Sequence, residues 1–258
     1  MRSKQQTRWD VPLRNGGDLD DLVSHALGLT ARKHRAASSQ GGAKWVERLR
    51  DAVVDTHSER RLAVLAEMRA SGLSVRDMCD VVIPEVARNL GEAWVDDRMS
   101  FADVTIACAR LQSLLREDIL AGTGDYSERA GELLVLVRAD EHHTLGALVL
   151  TGQLRSHGVS VRLMMGRPEP DVLTLVEDCD FDAILLSISR ADAYPGLLRS
   201  VAAIRSAAGG NVPVIVGGSI LELGEPMALE VSGADYATND IFTALAVCRH
   251  DDRTNRAN

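Results

Sequence analysis

Aromatic side chains are scarce in this sequence, at 3% of its residues. The core must therefore be built mainly from Leu, Val, Ile and Ala, and 258 residues are enough for one large or two modest domains. The chain also lacks a positive excess. Its formal net charge of −8 argues against binding nucleic acid over the whole surface, although not against a local basic patch.

Cysteines and long apolar runs are also few. The apolar or helical surroundings of the cysteines, and the lack of any C-x-x-C spacing, predict free thiols rather than a disulfide framework. No apolar run is long enough to span a bilayer, and the N-terminus has no apolar signal segment. We therefore expect a cytoplasmic protein without membrane contact. The cysteines are Cys79, Cys108, Cys179 and Cys248.

The first half of the chain has the periodicity of helices, because apolar residues recur there at helical spacing. This pattern predicts a helical bundle over 44–122, after an N-terminal extension, 1–43, that is helical or flexible. Ser100 is a predicted N-cap. The predicted helices cover 44–56, 58–71, 75–93 and 100–119.

The second half alternates short β-branched runs with helical stretches. Such alternation predicts a parallel sheet covered on both faces, and five βα units predict a flavodoxin-like, Rossmann-like domain over 131–250. The predicted fold class is therefore α/β with an N-terminal helical bundle. The predicted strands cover 132–138, 159–165, 181–189, 212–218 and 235–239.

Three short stretches follow or end predicted strands. EHHTLG (141–146) follows the first strand, Ser187-Ile188-Ser189 ends the third, and Gly217-Gly218 ends the fourth. Each has an ordinary interpretation on its own: a polar loop, locally bonded hydroxyls, or a turn. Ligands of open parallel sheets bind at the carboxyl ends of the strands, near the point where the strand order reverses. We therefore expect the three stretches to form one site.

The histidine loop allows more than one chemistry. Glu141 could accept the second ring N–H of His143, as carboxylates do behind metal-bound imidazoles. Gly146 would let a ligand approach the next helix without a Cβ in the way. A pyrophosphate site is excluded because the loop carries one glycine instead of G-x-G-x-x-G. A metal site, a proton relay and a polar loop remain open on these residues alone.

Together the three stretches resemble the motif of cobalamin-binding domains, D-x-H-x-x-G, S-x-L and G-G, at similar spacings. Two positions differ: Glu141 replaces Asp, and Ser189 replaces Leu. The resemblance implies that His143 is the lower axial ligand of cobalt, with Glu141 behind it, and that His142 is not a ligand. It implies that the benzimidazole of the cofactor's own nucleotide tail is displaced from cobalt into a slot formed by the loop and the two other strand ends. These residues are Glu141, His142, His143, Thr144, Leu145, Gly146, Ser187, Ser189, Gly217 and Gly218.

The helical half is similar to the bundle that covers the upper face of cobalamin in light-sensing regulators. In its G-x-x-W segment, Trp94 would lie over the upper ligand of cobalt. Carotenoid-type photoreceptor repressors carry a His directly after this Trp and a Glu-His pair further on. In this chain these positions are Val95, Val104 and Thr105, so no upper ligand is expected from them.

The runs EHHTLG, LLSISRADAYPGLL and VPVIVGGSI resemble those of the stand-alone B12-binding anti-repressors of purple photosynthetic bacteria, which act with a partner repressor of photosynthesis genes. The residues before Lys44 are too few for the winged-helix domain of the repressors. The resemblance implies a light- or cobalamin-responsive transcription regulator that is not an enzyme. It implies adenosylcobalamin or hydroxocobalamin as cofactor and a transcriptional repressor protein as partner, in a complex that can include DNA.

Three other classes of protein share parts of this pattern. A corrinoid protein of a methyltransferase system has a similar architecture. A methyl carrier, however, needs access to the upper face of cobalt, and a tryptophan over that face, as expected for Trp94, disfavours this function. A mutase is disfavoured because the chain is too short to add the barrel required for radical chemistry. A response-regulator-like module without cofactor would be colourless when purified.

Overall fold

The structure is a computed structural model that describes residues 40–116, 132–141, 143–189 and 194–254. Its N-terminal part is helical. The helices are α1 (Gln40–Val54), α2 (Ser58–Ala70), α3 (Val75–Asp77), α4 (Ile83–Val95) and α5 (Phe101–Leu114). A π-helical turn, Met78–Val82, joins α3 to α4 without interruption.

Serine caps set two of the helix starts. Ser74 accepts a hydrogen bond from the Asp77 N–H at its hydroxyl oxygen, and its own N–H donates one to the Asp77 carboxylate, which forms a capping box. Ser100 accepts a hydrogen bond from the Asp103 N–H, so the predicted N-cap is confirmed. The bundle core is aliphatic, as the scarcity of aromatics requires. Its fully buried side chains include Leu49, Leu65, Met68, Met78, Ile83, Leu90 and Leu111.

The C-terminal part is a five-stranded parallel sheet with strand order β2-β1-β3-β4-β5, which confirms the predicted fold. The five residues 133–137 of β1 are buried, as expected for a strand covered on both faces. The strands are β1 (Glu132–Arg138), β2 (Ser160–Arg167), β3 (Ala183–Ser187), β4 (Val214–Gly217) and β5 (Tyr236–Ala237). The helices are α6 (Leu145–Ser156), α7 (Glu169–Asp178), α8 (Tyr194–Ala207), α9 (Glu225–Ser232) and α10 (Ile241–Thr254), with a 3₁₀ turn at Ser219–Leu223.

The strand order fixes where a ligand can bind. The chain leaves β1 towards β2 on one side and then crosses to β3 on the other, so the order reverses between β1 and β3. The loops that leave the carboxyl ends of these two strands diverge there and open a crevice. No helix among the described residues is long and apolar enough to cross a membrane.

Helix α6 is shared by the two halves. Leu148 belongs to the buried cluster of the bundle, and Leu145 and Val149 pack against that cluster. Ala147 and Leu154, on another face of α6, are buried in the cluster that covers the sheet. A helix that begins directly after the His143 loop therefore forms the packing surface for the bundle.

Polar contacts fasten the far end of α6 to the bundle. The Nε2 atom of His157 lies 2.8 Å from Oδ2 of Asp80, within the π-helical turn, and both side chains are mostly buried. The guanidinium of Arg76 donates two hydrogen bonds to the carbonyl of Ser156, at 3.1 and 3.0 Å. The ring of His157 also meets Phe242 of α10 edge-on.

Removing either partner of the Asp80–His157 pair is expected to destabilise the fold. Asp80→Ala and His157→Ala should each lower the free energy of unfolding by about 1–3 kcal/mol, because each leaves a mostly buried polar group without its partner. The double variant should lose less than the sum of the two. Urea unfolding measures all three.

His57→Ala is the matched control. The His57 ring also lies 2.8 Å from a carboxylate, that of Asp55, but its side chain is 79% exposed. The control should cost less than about 1 kcal/mol. Strict additivity of the Asp80 and His157 substitutions would show that the pair does not connect the two halves.

Candidate functional site

The candidate site begins at the end of β1, where the chain turns sharply. The Glu141 N–H donates a hydrogen bond to the Arg138 carbonyl at 3.1 Å. In this turn the Glu141 side chain points into the protein, and only 1% of it is exposed. Its Oε1 atom accepts a hydrogen bond from the His143 N–H at 2.8 Å and lies 2.9 Å from His143 Nδ1. Because a carboxylate oxygen only accepts, Nδ1 is the donor in this contact, and in the neutral ring Nε2 then has a free lone pair for a metal.

Glu141 also joins the ends of two strands. Its Oε2 atom accepts a hydrogen bond from the Ser189 N–H at 2.9 Å, which ties the loop after β1 to the end of β3. Burial of the carboxyl raises its pKa, but the hydrogen bonds from the two backbone N–H groups and the His143 ring outweigh burial, so the net pKa of Glu141 is lowered. The carboxylate is therefore ionised at neutral pH. His143 itself is 67% exposed at the crevice between β1 and β3.

The glycine pair closes the site beside β3. Gly217 pairs with Ser187 across β3 and β4, and its carbonyl accepts from the Ile188 N–H at 2.9 Å. Gly218 has φ +98°, and a Cβ there would lie 2.4 Å from the Ile188 carbonyl oxygen. The Ser219 hydroxyl then donates to the Ser189 carbonyl at 2.7 Å. Glycine at 218 is thus required by its positive φ, as the interpretation of the pair as a turn expects, and also by the contact with Ile188, which the sequence did not reveal.

Gly146 lies in different surroundings. It is exposed in the first turn of α6, has an ordinary helical backbone, and a Cβ there would meet nothing within 4 Å. The space beside it is open, as a bound group would require. Thr144 immediately precedes this helix, whereas Leu145 packs against the bundle core. His142 lies outside the described residues.

Trp94 lies near the end of α4 and is 50% exposed. Its ring contacts Phe101, at 6.1 Å between centroids, and Phe101 is itself 69% exposed. The predicted role of Trp94 as a cover for a ligand stays a prediction.

Asn239 is a site residue that the sequence pattern did not identify. It follows β5, and its side-chain amide forms two hydrogen bonds with the backbone of Gly218. The predicted strand over 235–239 includes it, whereas β5 ends at Ala237. A polar residue at the carboxyl end of the last strand was the available signal.

Comparison with known proteins connects this geometry to a cofactor. Residues 131–246 match the family model of the B12 binding domain. The chain is 36% identical over 182 residues to a protein of Rhodobacter capsulatus, described as an uncharacterized 20.5 kDa protein in the bchF-crtJ intergenic region; the match covers 70% of this chain and 94% of that protein. The chain belongs to the family of that protein and carries a B12-binding domain. Its fold matches that of the monomethylamine corrinoid protein of Methanosarcina barkeri with a TM-score of 0.63 and 16% identity, over 82% of this chain and 99% of the other.

The residues present fit a corrinoid. A corrin ring supplies its own nitrogen ligands to cobalt, so the protein would contribute at most an axial donor rather than a full set of ligands. His143 supplies an exposed imidazole whose Nδ1 atom is held by a buried, ionised carboxylate, the arrangement that orients a metal-bound histidine. The open space beside Gly146 lies on the same loop. His143, Glu141 and the ends of β3 and β4 would hold the cofactor.

Glu141→Gln is expected to weaken cobalamin binding by about 10- to 100-fold, the usual cost of losing the partner behind a metal-bound histidine. The amide of Gln offers one oxygen where the carboxylate uses both, so either the His143 side or the Ser189 N–H loses its acceptor. Titration of the apoprotein with hydroxocobalamin, followed by absorbance, measures the loss. Unchanged affinity would contradict the role of Glu141.

The same substitution is expected to change how stability depends on pH. Because folding lowers the pKa of Glu141, its carboxylate stabilises the wild type at pH values above the ordinary glutamate pKa of about 4.3. That contribution is lost as the pH falls through the lowered pKa. Urea unfolding of the apoprotein at pH 7 and below pH 4 should therefore show a smaller pH effect in the Gln variant. An equal effect in both proteins would contradict this assignment.

Proposed function

We propose that this chain is a cytoplasmic, light-responsive regulator of transcription that binds adenosylcobalamin through His143 and acts as an anti-repressor on a partner repressor protein. The observation that carries the proposal is the shared helix α6. It starts at the loop of the axial histidine, and its other contacts form the packing surface of a bundle with a half-exposed Trp94. Binding at cobalt and the position of the bundle therefore involve the same helix.

Bound adenosylcobalamin would supply the light-sensitive chemistry, because its cobalt–carbon bond is broken by visible light. His143 and Glu141 would hold the cofactor at the carboxyl edge of the sheet. Trp94 and Phe101 present exposed aromatic surface on the bundle, which would respond to a change in the size of the bound cofactor. The bundle shifts only as far as the difference in ligand affinity between its two positions allows. A shift of about 3 kcal/mol would change the ratio of the two positions by roughly two orders of magnitude.

The Rhodobacter capsulatus relative supports the connection with photosynthesis, because it is encoded in the bchF-crtJ intergenic region. A net charge of −8 supports action through a protein partner rather than through extensive contact of this chain with DNA. In this proposal the repressor supplies the DNA-binding surface. The regulator alters the repressor's affinity for its operator.

A DNA mobility-shift assay tests the proposal. The repressor of photosynthesis genes is titrated onto its operator duplex with this chain, loaded with adenosylcobalamin and either kept dark or illuminated. We expect one of the two states to release the repressor from DNA. His143→Ala, treated in the same way, should give no difference between dark and light. Identical repressor binding with dark and illuminated wild type would contradict the proposal.

A methyl-carrying corrinoid protein is the alternative function. The fold match to the monomethylamine corrinoid protein favours it, although identity of 16% shows the fold alone. A carrier must expose the upper face of cobalt to two enzymes in turn, and the exposed Trp94 ring would lie in the way if it covers that face. Transfer of a methyl group from methylcobalamin-loaded protein to a methyltransferase partner would establish the carrier function.

A further inference from the structure

The side-chain amide of Asn239 forms a pair of hydrogen bonds with the backbone of the glycine turn Gly217–Gly218, and this pair is called the Asn239 clamp below. Its Oδ1 atom accepts a hydrogen bond from the Gly218 N–H at 2.6 Å, and its Nδ2 donates to the Gly218 carbonyl at 3.1 Å. Both backbone groups of one residue are thus held by one amide. Asn239 is exposed, so burial does not require this pairing. Gly217 lies against the same clamp, because a Cβ on it would be 3.1 Å from Asn239 Oδ1 and 2.7 Å from the Thr238 carbonyl oxygen.

The Asn239 clamp is the last in a series of hydrogen bonds that runs along the carboxyl edge of the sheet. From the loop after β1, Glu141 holds His143 and accepts from the Ser189 N–H at the end of β3. The Ser189 carbonyl accepts from the Ser219 hydroxyl, directly after the glycine pair. Asn239 then connects Gly218 to the end of β5. This series joins the ends of β1, β3, β4 and β5, and Asn239 forms its last hydrogen bonds beside the edge strand β5.

The backbone of Gly218 explains why an anchor is useful. Its φ of +98° and ψ of −159° belong to a conformation that only glycine adopts readily, and glycine has the greatest freedom to leave it. Asn239 forms its two hydrogen bonds to the N–H and carbonyl that set this conformation. Without them, Gly218 would lose the two hydrogen bonds that act on its own N–H and carbonyl, while the histidine side would remain held by Glu141.

We propose that Asn239 is a positioning residue that keeps the Gly217–Gly218 turn shaped for the nucleotide tail of cobalamin, so that it sets the preference for complete cobalamin over a corrinoid without the tail. The inference rests on the fact that two different residues hold the two sides of the site. Asn239 holds the glycine turn, whereas Glu141 orients His143. The proposal rests on B12 binding and holds for a regulator and for a methyl carrier alike.

The test compares two corrinoids on the full chain. Wild type and Asn239→Ala are titrated with hydroxocobalamin, which has the tail, and with cobinamide, which lacks it. Loss of two hydrogen bonds should weaken hydroxocobalamin binding by about ten-fold. Cobinamide binding should change by less than about two-fold, since the axial histidine is untouched. Asn211→Ala, an exposed asparagine before the amino end of β4, is the matched control and should change neither.

An equal loss for both corrinoids would overturn the proposal, because it would show a general effect on the site. Unchanged binding of both would overturn it as well. Failure of the wild type to bind either corrinoid would overturn it together with the cofactor assignment, and is thereby distinguished from the first two results. If Asn239→Ala does not fold, the same ratio is measured on Asn239→Ser, whose hydroxyl is too short to form both hydrogen bonds and should show the same selective loss.

Discussion

Replacing His143 by alanine is expected to abolish the bond between the protein and cobalt and to weaken cobalamin binding by at least about 100-fold. The loss should exceed the roughly 10- to 100-fold effect expected for Glu141, because the ligand itself is removed rather than its support. The physical reason is specific to this ring. His143 alone, among the residues described at the crevice, combines an exposed imidazole with a buried carboxylate on Nδ1.

Retention of the red cofactor through gel filtration, followed by the visible spectrum, measures this effect. His142→Ala is the closest control, since it removes an imidazole from the neighbouring position of the same loop. We expect that control to retain cobalamin and to keep the wild-type spectrum. Equal loss of cofactor from the two variants would contradict the assignment of His143 as the ligand.

Two glycine substitutions are expected to separate fold stability from cofactor binding, because Gly218→Ala should lower stability whereas Gly146→Ala should weaken binding without lowering stability. Gly218→Ala should lower the free energy of unfolding by about 2–4 kcal/mol, because its φ is +98° and the new Cβ would meet the Ile188 carbonyl oxygen at 2.4 Å. Gly146→Ala should leave stability unchanged or raise it by up to about 1 kcal/mol, because the helical backbone accepts alanine and nothing lies within 4 Å.

For Gly146→Ala, the expected loss is in cofactor binding rather than in stability. The methyl group would enter the open space beside the histidine loop, and crowding of about 1–3 kcal/mol would weaken cobalamin binding by about 10- to 100-fold. Urea unfolding of the apoprotein and titration with hydroxocobalamin measure the two quantities separately. A Gly218→Ala variant as stable as wild type would show that the turn does not require glycine. A Gly146→Ala variant that binds like wild type would show that the cofactor does not occupy the space beside that residue.

The sequence predicted the sheet well where its pattern depends on local burial. The run ELLVLVR indicated the bounds of β1 because every residue of that strand's centre is buried, and the alternation of strands with helices indicated the parallel sheet. The capping role of Ser100 is equally local, since it depends on a side chain and an N–H three residues away.

Features that depend on distant contacts were predicted less well. The predicted strand over 181–189 ends at Ser187 in the structure, because the Ile188 N–H turns to the Gly217 carbonyl and Ser189 turns to Glu141. Apolar periodicity does not distinguish the π-helical turn Met78–Val82 from the α-helix around it. The first helix among the described residues begins at Gln40, within the predicted extension over 1–43.

The same distinction applies to the site. The spacing of Glu141 and His143 is local, and the expected contact between the two side chains is present. The contact between Glu141 and the Ser189 N–H, and the clamp of Asn239 on Gly218, join residues far apart in sequence. Pattern alone indicated the participants at β3 and β4 but not the hydrogen bonds that hold them together, and it indicated no role for Asn239.

The proposed cobalt site is tested most directly by the absorption spectrum of the purified chain loaded with adenosylcobalamin, recorded in the dark and again after illumination with visible light. We predict a coloured protein whose spectrum changes on illumination. We also predict that the dark spectrum of His143→Ala lacks the features of histidine-bound cobalt. A protein that takes up no cobalamin, or one whose dark spectrum is the same with and without His143, would contradict the central claim.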